Sequence, residues 1–267
     1  MKIKIKQAEY QLYQKSGSAP GWLLLHGFMG SHADFEPLIP ELPGAVAAPD
    51  LLGHGKTTSA LLVADFTIEQ QADQLAALIQ QHLRAPLIIW GYSMGGRLAL
   101  ALALRHPKLI KYLILESSTA GINDSQQRLL RRNHDAQLAW QLRHCGLESF
   151  VNKWEELPLF ASQKKLPAAQ QQFIRQQRLQ QDPEGLAKSL LAMGTGSMPN
   201  YWPALSQLHC PVLLLTGALD LKFQKLTAKM AADLPQVKRY VVPAAGHNIH
   251  LENWPAIRQL FMREGLL

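Results

Sequence analysis

Short apolar runs and longer amphipathic segments alternate along most of the chain. The runs that predict buried strands are 22–25, 45–49, 87–91, 109–116, 211–217 and 238–242. The segments whose periodicity predicts helices are 35–42, 68–83, 226–233 and 255–263, with a further helix directly after Ser93. Because strands that alternate with helices form parallel sheets covered on both faces, we predict an α/β fold with a mostly parallel central sheet flanked by helices. Residues 1–14 alternate polar and apolar positions, which predicts one or two additional strands.

A different pattern occupies residues 117–203. This segment is rich in Gln, Arg and Trp, lacks β-branched runs, and has three stretches typical of amphipathic helices: 123–142, 147–157 and 168–179. We therefore predict a core of residues 1–116 and 204–267, with residues 117–203 inserted as a helical cap. Ligands of open parallel sheets bind beyond the carboxyl ends of the strands, so we expect the cap to lie over that edge.

Composition and charge narrow the class of protein. Of the 267 residues, 47% are hydrophobic and 18% are charged, as in an ordinary globular protein. The net charge of +7 is spread out, with no run of five Lys or Arg and no nucleic-acid motif, which favours an anionic small molecule as partner. Two distant cysteines, the lack of a signal peptide and the lack of a long apolar span indicate a cytoplasmic protein without membrane insertion. We expect a monomer or a weak oligomer, although none of these features determines the oligomeric state.

The pentapeptide Gly91-Tyr92-Ser93-Met94-Gly95 begins where the apolar run 87–91 stops, and a run of helix-forming residues begins just after Ser93. A G-x-S-x-G pattern at a strand-to-helix turn is typical of a nucleophile elbow, in which the serine is exposed above the sheet edge. The two glycines allow the strand and the helix to pack closely behind the turn. We therefore predict that Ser93 is the catalytic serine.

A catalytic serine needs an imidazole to take its proton and a carboxylate to orient the imidazole. In this architecture both follow the serine along the chain, in the order acid then histidine. Asp220 follows the strand 211–217 and His247 follows the strand 238–242, so we predict a Ser93–His247–Asp220 triad. Two alternatives stay open, because Asp220 could simply cap the helix after it and Glu116, at another strand end, could be the acid.

We assign roles other than that of the catalytic base to the remaining histidines near glycine turns. His26 and His54 precede the serine, and we expect them to organise loops. His250 lies three residues after His247, but no cysteine or acidic ligand stands at a matching spacing, so we predict no metal site and no organic cofactor. The turn that begins at His26 predicts an oxyanion hole made of two backbone N–H groups, one from Phe28 and one from Met94.

These motifs together resemble the α/β-hydrolase superfamily, and within it the family of 2-succinyl-6-hydroxy-2,4-cyclohexadiene-1-carboxylate synthases of menaquinone biosynthesis. The segments that carry the resemblance span nearly the whole chain: 26–31, 50–55, 91–97, 178–179 with 185–187, and 245–253. The resemblance implies a carbon–oxygen lyase that removes pyruvate from 2-succinyl-5-enolpyruvyl-6-hydroxy-3-cyclohexene-1-carboxylate, a tricarboxylate. Ser93, deprotonated by His247, would abstract a ring proton, with no water attack and no acyl-enzyme.

The arginines near the predicted site suit an anionic substrate, because a guanidinium can bind a carboxylate. Arg97 lies one helical turn after Ser93, close to the elbow, where its guanidinium can bind a carboxylate through two hydrogen bonds. The alternative for Arg97 is a salt bridge behind the elbow. The family pattern extends the binding role to Arg131 and Arg178, with Tyr92 and Trp154 lining the pocket, although Trp154 could equally be cap core.

Two other classes of function compete with the lyase. The first is a serine esterase or carbon–carbon bond hydrolase for a carboxylated small molecule, which would use the same triad to activate water. The second is a non-catalytic receptor that uses the capped cavity only to bind. A complete triad in the expected order argues against the receptor, because a binding module has no use for all three residues.

Overall fold

The computed structural model describes residues 1–57 and 61–267, and in this part of the chain eight strands form one sheet. The strands are β1 (Lys2–Ile5), β2 (Ala8–Lys15), β3 (Trp22–Leu25), β4 (Val46–Pro49), β5 (Leu87–Tyr92), β6 (Ile110–Glu116), β7 (Val212–Gly217) and β8 (Val237–Val242). Their order is β1-β2-β4-β3-β5-β6-β7-β8. The β1–β2 and β2–β4 pairs are antiparallel, and all other neighbours are parallel. The prediction of a mostly parallel central sheet is confirmed.

Two apolar clusters, one on each face of the sheet, hold the core together. The helices on the first face are α1 (Ile68–His82), α2 (Met94–Arg105) and α7 (Leu221–Asp233), and α9 (Trp254–Arg263) covers the second. Successive side chains of a strand point to opposite faces, so Leu23 and Leu25 join the first cluster and Trp22 and Leu24 join the second. None of the helices in the described residues is long and apolar enough to cross a membrane.

We call residues 117–203 the cap. Its helices are α3 (Ser125–His144), α4 (Leu147–Glu155), α5 (Ala168–Leu179) and α6 (Pro183–Met193), and a 3-10 segment, Pro158–Lys165, joins α4 to α5. A third apolar cluster contains Phe150, Leu186 and Leu190 from the cap together with Met29 from the core. The cap therefore packs on the loop that follows β3, at the carboxyl end of the sheet.

Two helix predictions differ from the structure, and two helices were not predicted. The predicted helix 35–42 is wrong: two 3-10 turns, His32–Asp34 and Ile39–Glu41, occupy this region. Pro37 and Pro40 explain the difference, because each lacks the N–H group that a continuous helix requires. The helix α6 was not predicted, and α7 begins at Leu221 instead of 226 because the Asp220 side chain caps it. The short helix α8 (Ile249–Glu252) follows His247 and was not predicted either.

A contact between two glycines brings α6 against the core. A Cβ atom on Gly185 would lie 2.8 Å from Gly53 Cα, so the two main chains touch with no room for a side chain. Gly53 has a φ of 77°, a conformation that favours glycine. The loop 50–55 and the start of α6 are thus held at the smallest separation that two backbones allow.

Candidate active site

Ser93 occupies a strained turn between β5 and α2. Its φ of 51° is uncommon for a residue with a side chain and fits the sharp reversal that an elbow requires. A Cβ atom on Gly91 would collide with the carbonyl oxygen of Gly95, so the sequence needs glycine there for strand and helix to meet. The Ser93 N–H donates to the Glu116 carbonyl oxygen at 2.8 Å, which fixes the turn to the end of β6.

The structure brings Ser93, His247 and Asp220 into one hydrogen-bonded row. His247 Nε2 lies 3.0 Å from Ser93 Oγ, and His247 Nδ1 lies 2.7 Å from Asp220 Oδ2. Asp220 and His247 are buried, and Ser93 is partly exposed. Because the carboxylate can only accept, Nδ1 carries the proton and Nε2 is free to accept the serine proton. This arrangement can activate the Ser93 hydroxyl as a base or as a nucleophile.

The two open alternatives for the acid are resolved by geometry. Asp220 Oδ1 accepts the N–H of Phe223 at 3.2 Å, so the same carboxylate also caps α7. Glu116 does not contact His247: both its carboxylate oxygens lie 3.0 Å from His250 Nδ1. His247 and His250 therefore face different carboxylates and do not share a ligand.

Two backbone N–H groups beside Ser93 have no acceptor within the described residues. Met94 is the first residue of α2, whose first N–H groups lie outside the helical hydrogen-bond pattern, and Phe28 lies in the turn after β3. His26 organises that turn: its Nδ1 donates to the Gly27 carbonyl at 2.7 Å and its Nε2 accepts the Leu51 N–H at 2.9 Å. Burial lowers the pKa of His26 to about 4, so the ring stays neutral. The oxyanion hole stays a prediction, with the N–H groups of Phe28 and Met94 as its donors.

A cavity of about 130 Å³ lies above Ser93, between the sheet edge and the cap. Arg97 lines it, is 9% exposed, and donates to the Met193 carbonyl oxygen. Among the described residues no carboxylate lies within ion-pair distance of Arg97, so the alternative of a salt bridge behind the elbow does not hold. Burial, followed by the charge of Arg131, lowers the pKa of Arg97 to about 10, so the guanidinium is charged at neutral pH.

The two cap arginines behave differently. Arg131 lines the same cavity as Ser93, but its Nε donates to Asp135 Oδ1 at 2.8 Å. Asp135 Oδ2 is buried and has no hydrogen-bond partner among the described residues. Burial raises the pKa of Asp135. Arg131 can still offer its terminal nitrogens to a ligand.

Arg178 does not line the Ser93 cavity, so its contact with substrate stays a prediction. Its guanidinium lies 3.2 Å from Glu155 Oε1 and 2.9 Å from Gln163 Oε1, and stacks on the Phe160 ring at 5.0 Å. It lines a neighbouring cavity of about 520 Å³. Phe160 lines both cavities and separates Arg178 from Ser93, while Glu155 neutralises the arginine that sequence reasoning assigned to substrate.

Aromatic residues form much of the cavity wall. Tyr92 and Trp154 line it as predicted, and Trp154 also packs against Phe150 and Phe28 in the cap cluster. Further lining residues were missed by sequence reasoning: Ser117, Ser118, Thr119, Ser189, Thr195, Lys222 and Phe223. The first three directly follow β6, where the strand-end rule could have indicated them. Ser189 lies on α6, which was not predicted.

Comparison with known proteins identifies the family and the fold of this chain. The sequence model of a family described as "alpha/beta hydrolase fold" matches residues 23–253. A putative 2-succinyl-6-hydroxy-2,4-cyclohexadiene-1-carboxylate synthase of Bacillus subtilis is 38% identical over 85% of this chain and 84% of its own. The solved structure of MenH from S. aureus is 37% identical, covers 97% of both chains and superposes with a TM-score of 0.91. A malate-bound esterase from Thermogutta terrifontis is 30% identical over 100% of this chain and 98% of its own, with a TM-score of 0.84.

Proposed function

The chain belongs to the α/β-hydrolase family and is an enzyme of that superfamily, and from this premise we propose that it is a carbon–oxygen lyase of menaquinone biosynthesis. The substrate is 2-succinyl-5-enolpyruvyl-6-hydroxy-3-cyclohexene-1-carboxylate. The products are pyruvate and 2-succinyl-6-hydroxy-2,4-cyclohexadiene-1-carboxylate, the compound after which the Bacillus subtilis relative is named.

One observation carries the proposal: Arg97, a buried cation without an acidic partner among the described residues, lines the cavity of Ser93. Removing a guanidinium from water is costly unless a charged group or several acceptors compensate it. Met193 supplies only a carbonyl oxygen. A substrate carboxylate would complete the site, whereas a neutral ester or a lipid would leave the charge uncompensated. The substrate named above has three carboxylates.

The triad supplies the base in this reaction. His247 Nε2 takes the proton of Ser93 Oγ, and the alkoxide abstracts the ring proton next to the succinyl ketone. The C–H electron pair forms a ring double bond, the existing double bond shifts, and the bond between the ring and the enolpyruvyl oxygen breaks. Enolpyruvate leaves and takes up the proton as it becomes pyruvate. No water is consumed and no bond to Ser93 forms.

The remaining site residues bind the charged groups of the substrate or form the wall of the cavity. The N–H groups of Phe28 and Met94 can donate to the ketone oxygen, on which negative charge develops when the proton leaves. Arg97 and Arg131 bind substrate carboxylates, while Tyr92 and Trp154 pack against the ring. Arg178 supports the wall through Phe160.

A serine esterase for a carboxylated substrate is the second candidate. The same hydrogen-bonded row can attack an ester carbonyl, and the esterase of Thermogutta terrifontis is a relative at 30% identity whose structure holds malate, a dicarboxylate. Both candidates require Ser93 and an anion-binding cavity. They differ in whether water is consumed.

The deciding experiment incubates the purified protein with the enolpyruvyl cyclohexene substrate and follows pyruvate release and diene absorbance. We expect equal amounts of both products, and no turnover by the Ser93→Ala variant. Ester cleavage that depends on Ser93, without any diene, would replace the lyase by the esterase. Absence of both activities in a protein that binds the substrate would favour the receptor.

A further inference from the structure

Two carboxylates hold the loop that carries His247. Glu252 Oε2 accepts the Gly246 N–H at 2.6 Å, and Glu252 Oε1 accepts the Asn248 N–H at 3.2 Å. Glu116 Oε1 accepts the Ile249 N–H at 2.7 Å and the His250 N–H at 3.1 Å. The backbone on both sides of His247 is therefore fixed by side chains that belong to neither the triad nor the cavity.

Glu116 also reaches Ser93. It ends β6, and its carbonyl oxygen accepts the Ser93 N–H at 2.8 Å. Its main chain thus holds the nucleophile and its side chain holds the loop of the base, so one residue sets the distance between them. That distance, 3.0 Å from His247 Nε2 to Ser93 Oγ, is the one on which proton transfer depends.

Hydrogen-bond donors face both carboxylate oxygens of Glu116, so each oxygen has to act as an acceptor. Besides the two backbone N–H groups, Trp90 Nε1 donates to Oε2 at 2.9 Å and His250 Nδ1 lies 3.0 Å from each oxygen. Glu116 and His250 are fully buried. We assign the His250 proton to Nδ1, because Glu116 offers only acceptors, and His250 Nε2 has no partner among the described residues. An amide at position 116 would turn an N–H₂ group towards at least one of these donors.

We propose that Glu116 and Glu252 form a carboxylate clamp that positions His247 for proton transfer with Ser93. Neither residue touches the reacting atoms, so both are positioning residues. A shift of about 1 Å in a catalytic group can lower a rate roughly 100-fold, and loss of either carboxylate frees the N–H groups that prevent such a shift. The clamp rests on the triad geometry, so it holds whether the enzyme is a lyase or an esterase.

Labelling of Ser93 by methanesulfonyl fluoride tests the clamp without the substrate. The Oγ–S bond forms, the S–F bond breaks, fluoride leaves and His247 takes the proton, so the rate reports on the Ser93–His247 pair alone. We expect Glu116→Gln and Glu252→Gln each to lower the labelling rate about 10- to 100-fold in protein that is folded by circular dichroism. The downfield NMR signal of the His247 Nδ1 proton should weaken or shift in the same variants.

Two further variants separate positioning from stability. Glu264 is a matched control, because its side chain is 6% exposed and pairs with Lys238 and Tyr240 away from the site. In the Glu264→Gln variant, Ser93 should be labelled at the wild-type rate. Adding Trp90→Phe to Glu116→Gln removes the donor that faces the new amide, and should restore labelling several-fold. If Glu116→Gln does not fold, Glu252→Gln and the double variant decide. Wild-type labelling by the folded Glu→Gln variants, or a further loss in the double variant, would overturn the proposal.

Discussion

Asp220 Oδ2 lies 2.7 Å from His247 Nδ1, while Oδ1 of the same carboxylate accepts the N–H of Phe223. The proposed acid of the triad is therefore also the cap of α7. The helix that carries Phe223 packs the Phe223 ring against His247, with ring centres 4.6 Å apart. A change at Asp220 thus acts on the base through a hydrogen bond and through a neighbouring ring.

Asp220→Asn tests the assignment of the acid. Asn Oδ1 can still accept the Phe223 N–H, but its amide then turns an N–H₂ group to His247 Nδ1 and forces the proton to Nε2. The corresponding substitution in the serine-protease triad lowers kcat about 10⁴-fold, and we expect a loss of that order here. Pyruvate release measures it, and thermal unfolding checks that α7 is intact. A loss below 10-fold would remove Asp220 from the triad.

Arg97→Met tests whether Arg97 binds a carboxylate of the substrate or supports the chemical step itself. The variant keeps much of the side-chain volume and removes the cation, so kcat/KM for the tricarboxylate should fall about 10- to 150-fold, which corresponds to about 1.5–3 kcal/mol for a charge-assisted hydrogen bond. Cleavage of a small neutral ester, if present, should change little. Arg105→Met is the control, because Arg105 lies on the same helix but pairs with Asp73 on the surface. Equal losses on both substrates would exclude the carboxylate-binding role.

His54 predicts a pH dependence of stability. Burial lowers its pKa from 6.5 to about 3, so below pH 6.5 the unfolded chain takes up a proton that the folded protein does not bind. The free energy of unfolding therefore decreases as the pH falls, and His54 accounts for about 2–3 kcal/mol between pH 7 and pH 4.5. Urea unfolding of His54→Gln should show a decrease that is smaller by this amount. The same pH dependence in both proteins would contradict the buried neutral state.

Gly185→Ala tests the contact between cap and core. The new Cβ would lie 2.8 Å from Gly53 Cα, so one of the two backbones has to move. Overpacking of this kind costs about 1–3 kcal/mol, and urea unfolding should detect it. We also expect a higher KM, because α6 contributes Ser189 and Leu190 to the cavity wall. A variant with unchanged stability would show that the cap and the core separate here freely.

The strands and the short motifs that contain Ser93, Asp220 and His247 could be predicted because each of them is local in sequence. Central strands such as β3 and β5 are buried at every position, and a run of apolar residues in the sequence indicates such burial directly. The helix α6 was missed although Asp182 caps it and Pro183 occupies its first position, where proline is favourable. Pro183 and Gly185 are also typical of loops, and only packing against the core decides between the two.

The placement of Arg178 and of Glu116 could not be predicted from spacing. Arg178 pairs with Glu155, which is 23 residues away on another helix, and no periodicity links the two. Glu116 and Asp220 both end or follow a strand, and the choice of acid depends on which histidine ring faces each carboxylate. That choice is made by the fold of the loop after β8, which brings His250 to Glu116.

The ring of Phe160 decides how much room a substrate has. On one side it bounds a space of about 130 Å³, below the roughly 300 Å³ at which pockets for larger organic ligands begin. On the other side it bounds about 520 Å³ that contains Arg178. Phe160 therefore lies in the wall between the Ser93 cavity and the space that contains the Arg178 guanidinium. The size of the side chain at position 160 thus bounds the room beside Ser93 without touching the hydrogen-bonded row of Ser93, His247 and Asp220.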